Sequence, residues 1–137
     1  CGGGSNHRAD LEAAVLIKDN HLATLGGDIA LAVRRARELA PMGIQVEVEC
    51  DTREQVSQSL EAGADVILLD NMSPAEMRAC VELVNRAAIV EASGGITLDT
   101  VRAVAETGVD WISVGALTHS VTALDLALDF RSATPAI

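Results

Sequence analysis

Residues 65–71 read DVILLDN, and residues 73–86 read SPAEMRACVELVNR. The first stretch is an almost wholly apolar run closed by an Asp-Asn turn signal. The second has helical period behind a Ser that can cap its N-terminus. A strand followed directly by a helix, with no hairpin signal between, is the unit from which parallel sheets are built. Working outward from it, the same pairing recurs. AAVLIKD precedes GGDIALAVRRARELAP, QVEVEC precedes TREQVSQSLEAGA, AAIVEAS precedes TLDTVRAVAETG, and WISVGAL precedes SVTALDLALDF. Asp28, Thr52, Ser73 and Thr97 stand where N-caps are needed, and Gly63 and Gly108 where a helix would end in a left-handed residue. The class is therefore α/β, with five consecutive βα units.

Two architectures suit such a run, a doubly wound sheet and an arc of a TIM-like parallel α/β barrel. The arc is favoured because Lys18, Glu49, Asp70, Glu91 and Ser113 fall at inward positions toward the C-terminal ends of strands, the end where barrels collect their reactive groups. Glycine-containing turns after the last two strands, SGGI and VGALTHS, also sit where barrels bind phosphate. The loop after the first strand, DNHLATLGG, resembles no phosphate loop of a doubly wound fold. A closed eightfold barrel takes roughly 200 residues or more, and this chain has 137. The barrel is expected to be incomplete.

The chain carries a net charge of −10 and only 10 Lys and Arg residues, against 49% hydrophobic residues. That balance excludes a broad phosphate-neutralising surface for nucleic acid. No apolar stretch approaches bilayer length, so no membrane partner is expected. The three cysteines, Cys1, Cys50 and Cys80, form no CxxC pair, which points to unbridged thiols and a cytoplasmic address.

Against this acidic background the opening CGGGSNHR, with Lys18 ten residues beyond Arg8, reads as a site for a small anion. A guanidinium after three glycines can clamp a carboxylate bidentately while the glycines admit the ligand to the backbone. In QVEVEC, Glu47 and Glu49 share one face and Val46 and Val48 the other. Two inward carboxylates need cations, and Lys18 is the evident counter-charge; a structural ion-pair network is the alternative to a catalytic role. Glu49 and Asp70 should lie on adjacent strand ends, where they could bind a divalent cation or face positive charge developing at a sugar carbon. Without zinc-like His/Cys spacing, Mg²⁺ carried with a phosphorylated substrate is the expected cofactor. Ser93, Gly94 and Gly95 read as a phosphate turn and Gly115 with His119 as its second wall. His21 reads as an exposed loop residue.

The motifs GGGSNHR, LIKDNH, VEVE, ILLDNMSP, EASGGI and SVGALTHS occur in the order in which they occur in the quinolinate phosphoribosyltransferase family, which the chain resembles over nearly its whole length. The resemblance implies transfer of phosphoribosyl from phosphoribosyl pyrophosphate to quinolinate, with loss of carbon dioxide and pyrophosphate. It implies that His7, Arg8 and Lys18 hold the dicarboxylate and neighbouring pyrophosphate. Glu49 and Asp70 would face the ribose and its magnesium, with Lys18 also counted as catalytic. Asn71, Ser93, Gly94, Gly95, Gly115 and His119 would hold the ribose and 5-phosphate. Family members add an N-terminal sandwich domain, a Thr-Arg-Lys-Thr segment before the GGG, and an arginine from the partner of a homodimer. Residues 1–137 are accordingly expected to form a partial barrel domain that retains phosphate affinity but is close to inactive alone, and whose exposed strand edges invite self-association. A barrel aldolase or decarboxylase with Lys18 as Schiff base, or a relative using another acceptor, is the competing expectation.

Overall fold

In a computed structural model of the chain, which describes residues 2–130, strands β1 (Val15–Ile17), β2 (Val46–Cys50), β3 (Val66–Asp70), β4 (Ile89–Ser93) and β5 (Trp111–Ile112) form one sheet. They are parallel and lie in the order β1-β2-β3-β4-β5. Sequential neighbours with no reversal of order give the sheet no topological switch point, which a doubly wound sheet requires. The fold is an open arc of an α/β barrel. Helices α1 (Asp19–Thr24), α2 (Ile29–Leu39), α3 (Arg53–Glu61), α4 (Pro74–Val84), α5 (Val101–Ala105) and α6 (Ala116–His119) complete the order.

Residues paired in a parallel register share a face, and alternate residues change face. One face carries Ile17, Val46, Val48, Cys50, Ile67, Leu69, Val90 and Ala92, which pack with Val33 of α2, Val56 of α3, and Met77 and Val84 of α4 into the hydrophobic core. The other face is the inner face of the arc. The pairings Leu16↔Glu47, Glu49↔Leu68, Leu68↔Glu91 and Asp70↔Ser93 place Glu47, Glu49, Asp70, Glu91 and Ser93 on it together. Cys50 and Cys80 are free and buried, and burial pushes the Cys50 thiol up to about 11. Cys1 lies outside the described residues.

The caps follow the sequence with one exception. Asp28 accepts from Leu31 N–H at 2.8 Å, and Thr52 and Ser73 form capping boxes with Gln55 and Glu76. Gly63 and Gly108 take φ of 79° and 92°. Thr97 does not cap with its side chain. Its own N–H donates to Thr100 Oγ1 at 2.9 Å, its carbonyl accepts from the Thr100 and Val101 N–H groups, and Thr100 is the N-cap of α5. A turn thereby separates Gly95 from the helix.

Two further elements differ from expectation. The loop after Lys18 contains helix α1, and His21 lies in it, with Nδ1 accepting the Lys18 N–H at 3.0 Å. The helix expected over SVTALDLALDF does not form: a short helix, α6, lies ahead of it and ends at His119, and residues 121–130 form no regular element. The physical reason is a missing contact. Val121, Leu124 and Leu128 have the spacing of one helix side, but nothing among the described residues covers them, and a short amphipathic helix without tertiary packing is marginal. Leu124, Leu126, Leu128 and Phe130 are at least 80% exposed.

Candidate active site

Inner-face side chains near the C-terminal strand ends build the site. Lys18 directly follows β1, and its Nζ lies 3.7 Å from Glu49 Oε2 on β2. Burial pushes the Glu49 carboxyl up; the Lys18 ammonium opposes this, and Asp70, Asp19 and Asp51 reinforce it. Asp70, the last residue of β3, accepts from Asn71 Nδ2 at 2.7 Å. Lys18, Glu49 and Asp70 thus project from three neighbouring strand ends. The expectation that Lys18 would be the counter-charge holds for Glu49.

Glu47 has another partner. His7, in the loop ahead of β1, brings Nε2 to 3.1 Å from Glu91 Oε1 and 3.7 Å from Glu47 Oε1. Ser113 Oγ donates to the same Glu91 oxygen at 2.6 Å. Glu47 and Glu91 are almost completely buried, and Glu47 Oε1 and Glu91 Oε2 have no hydrogen-bond partner among the described residues. Burial, and after it the Glu91 charge, raises the Glu47 carboxyl above its ordinary range, while His7 and Arg8 act against that rise. Arg8 Nη1 reaches the Ala14 carbonyl at 3.5 Å, and His7, Arg8, Asp10 and Leu11 line an open depression beside this cluster.

The loops after β3 and β4 are stitched together. The Asn71 N–H donates to the Ser93 carbonyl at 3.0 Å, and Asn71 takes a φ of 53°. Gly94, at φ 87°, passes so close that a Cβ there would meet Asn71 Oδ1 and lie 2.8 Å from the Asn71 backbone nitrogen. Gly95 follows at φ 60°. The turn therefore presents backbone with no side chain, the geometry an anion can approach closely. After β5, a Cβ on Gly115 would lie 2.9 Å from His119 Nε2, and His119 Nδ1 bonds Ser120 Oγ at 2.7 Å. His119 is engaged by its own loop.

Of the residues singled out in the sequence, Lys18, Glu49, Asp70, Asn71, Ser93, Gly94 and Gly95 gather on one end of the inner face. His7 and Arg8 stand beside Glu47 and Glu91. The His7–Glu91 contact joins residues 84 apart in the chain; the one available signal was a glutamate in the otherwise apolar strand AAIVEAS.

A family model described as quinolinate phosphoribosyl transferase, C-terminal domain, matches residues 1–129. The chain is 46% identical over 128 residues to the probable nicotinate-nucleotide pyrophosphorylase [carboxylating] of Bacillus subtilis, covering 93% of this chain and 44% of that protein. It is 43% identical to the human nicotinate-nucleotide pyrophosphorylase [carboxylating], covering 93% and 43%. The solved nicotinate-nucleotide pyrophosphorylase of Francisella tularensis superposes with a TM-score of 0.81 at 43% identity, over 86% of this chain and 41% of that one. The chain spans a little under half the length of these relatives.

Proposed function

The chain belongs to the quinolinate phosphoribosyl transferase family, and from that premise we propose that it supplies much of an active site transferring phosphoribosyl from phosphoribosyl pyrophosphate to quinolinate. The products are nicotinate mononucleotide, pyrophosphate and carbon dioxide, a step of NAD biosynthesis. The observation that carries the reading is the convergence of Lys18, Glu49 and Asp70 on adjacent strand ends beside the open Ser93–Gly95 turn.

The residues divide the work by charge. Backbone N–H groups of Ser93, Gly94 and Gly95 hold the 5-phosphate, Asn71 orients the ribose, and Gly115 and His119 form a second wall. Arg8 and His7 hold the acceptor dicarboxylate, with Lys18 between it and the departing pyrophosphate. As the bond from the anomeric carbon to pyrophosphate breaks, positive charge develops on the sugar, and Glu49 and Asp70 favour that state over the neutral ground state. The pyridine nitrogen, held in line, attacks that carbon. The carboxylate beside the ring nitrogen then leaves as carbon dioxide; the electron pair of the broken bond stays on the ring carbon, stabilised by the adjacent pyridinium charge, and that carbon takes a proton from water, so no protein nucleophile is required. Glu49 and Asp70 offer only oxygen donors, and burial together with neighbouring carboxylates leaves Glu49 raised in spite of Lys18. Two carboxylates on adjacent strand ends are an all-oxygen donor set that suits a hard cation, so these two residues would hold Mg²⁺ directly or through substrate and water. When bound, Mg²⁺ would neutralise charge on the leaving pyrophosphate. The family reading extends to a homodimer in the cytoplasm, an address supported by the buried free thiols. Among the described residues no helix is long and apolar enough to cross a membrane.

Calorimetry tests the reading. Phosphoribosyl pyrophosphate with Mg²⁺ should bind the chain, inorganic phosphate should compete, and Glu49→Gln with Asp70→Asn should weaken magnesium-dependent binding while phosphate binding persists. Absence of binding by the parent chain would contradict it. The aldolase alternative is disfavoured by Lys18, whose side chain is 52% exposed beside Glu49 rather than desolvated as Schiff-base lysines are.

A further inference from the structure

The loop that carries His7 and Arg8 has no regular structure before β1 and begins with three exposed glycines. Nothing within such a segment fixes a histidine rotamer. Yet His7 Nε2 is joined to the sheet by a 3.1 Å contact with Glu91 Oε1, and that oxygen is held on its far side by Ser113 Oγ at 2.6 Å. Glu91 is 1% exposed. A carboxylate buried at that depth is costly, and an apolar residue would serve a purely structural position as well or better. Glu47 stands on the next strand but one, 3.7 Å from the same imidazole nitrogen.

We propose that Glu91, braced by Ser113 and flanked by Glu47, is a positioning residue that sets the His7 imidazole, and with it the adjoining Arg8, at the acceptor end of the site. The inference rests on the reading of His7 and Arg8 as the acceptor anchor. With Nε2–H donated to Glu91, the other ring nitrogen, Nδ1, has no partner among the described residues and is the edge left for a ligand carboxylate, which it can hold as a donor when the ring carries both protons. His7, Glu47 and Glu91 also have a spacing a metal ion could bridge. The direct contact and the serine hydroxyl engage Glu91 Oε1, whereas Glu91 Oε2 and Glu47 Oε1 have no partner among the described residues, so a zinc titration is the arm that separates positioning from ligation.

The test uses quinolinate and phosphoribosyl pyrophosphate as separate probes on the chain and its Glu91→Gln, Ser113→Ala, His7→Ala and His7→Ala/Glu91→Gln variants. Loss of the carboxylate charge, which turns a charge-assisted hydrogen bond into a neutral one, should weaken quinolinate binding in Glu91→Gln by roughly tenfold, with phosphoribosyl pyrophosphate changed less than about twofold on the same scale. Because Glu91 acts through His7, Glu91→Gln should have no further effect once His7 is alanine. Ser113→Ala, which keeps the carboxylate, should follow Glu91→Gln in part. Equal losses for both ligands, or additive losses in the double variant, would overturn the proposal. Should the parent chain bind no quinolinate, the acceptor reading fails by itself, and nuclear magnetic resonance of the imidazoles decides positioning. His7 ring resonances should move in Glu91→Gln and Ser113→Ala while those of His21 and His119 stay; an unmoved His7 would overturn the proposal. Zinc titration that binds tightly and is abolished by His7→Ala would overturn it in favour of a metal site.

Discussion

The two faces of the same strands obey opposite rules. On the helix-facing side Val46, Val48, Ile67 and Leu69 are fully buried hydrocarbon, and the thiol on the same face, Cys50, is fully buried too. On the inner side the same strands present Glu47, Glu49, Asp70, Glu91 and Ser93. Strand alternation lets one segment do both, since each residue that adds to the core is followed by one that cannot enter it. The difference teaches where to look for each property: stability resides among the helices, and chemistry on the face that bears the cost of buried charge.

Substitutions should separate the faces. Ile67→Ala, which empties a fully buried position between sheet and helices, should cost about 3 kcal/mol in urea unfolding. Phosphate binding per folded molecule should be unchanged. A coupled loss of binding would show that the faces are not independent. Gly94→Ala comes next. Its φ of 87° and the 2.8 Å approach of the Asn71 nitrogen should cost roughly 2 kcal/mol in the same measurement, and unlike Ile67→Ala it should also weaken phosphate binding.

The smallest and most informative effect is in the pH dependence. Burial raises the Glu47 carboxyl above 4.5. The folded chain therefore holds that proton more tightly than the unfolded chain, and the stability this confers is present below 4.5 and lost as pH rises through the folded value. Asp65 has the opposite sign. Burial would raise it, but the Arg37 guanidinium at 2.7 Å and the Val46 N–H at 2.7 Å outweigh burial and hold it below 3.8. Its contribution is present above 3.8 and lost as pH falls through the folded value. Unfolding measured from pH 3 to 8 should thus show Glu47→Gln gaining relative to the parent on the alkaline side and Asp65→Asn converging with it on the acidic side. Parallel curves would contradict both assignments.

Much of this comparison was legible in the residue order. The alternation in QVEVEC assigned Glu47 and Glu49 to one face, and repeated strand-helix units in one order implied a sequential parallel sheet. The Lys18–Glu49 pair followed from charge balance on adjacent strands. What the sequence did not disclose is long-range or short-period. His7 meets Glu91 only because the loop folds back across the arc, and no local pattern encodes that return. Thr97 and Thr100 are both capping residues by type, and the turn between them decides which one starts the helix. The tail 120–130 carries the apolar spacing of a helix, but helix formation there depends on a packing partner, and its large residues stand exposed.

The central claim is that ligand chemistry belongs to the inner face alone. Backbone amide shifts of the labelled chain, followed while phosphoribosyl pyrophosphate and Mg²⁺ are added, test it most directly. The account predicts perturbations clustered at Lys18, Glu49, Asp70, Asn71 and Ser93 to Gly95, with the amides of α2, α3 and α4 unmoved. Perturbations centred on those helices, or none at the strand ends at saturating ligand, would contradict it.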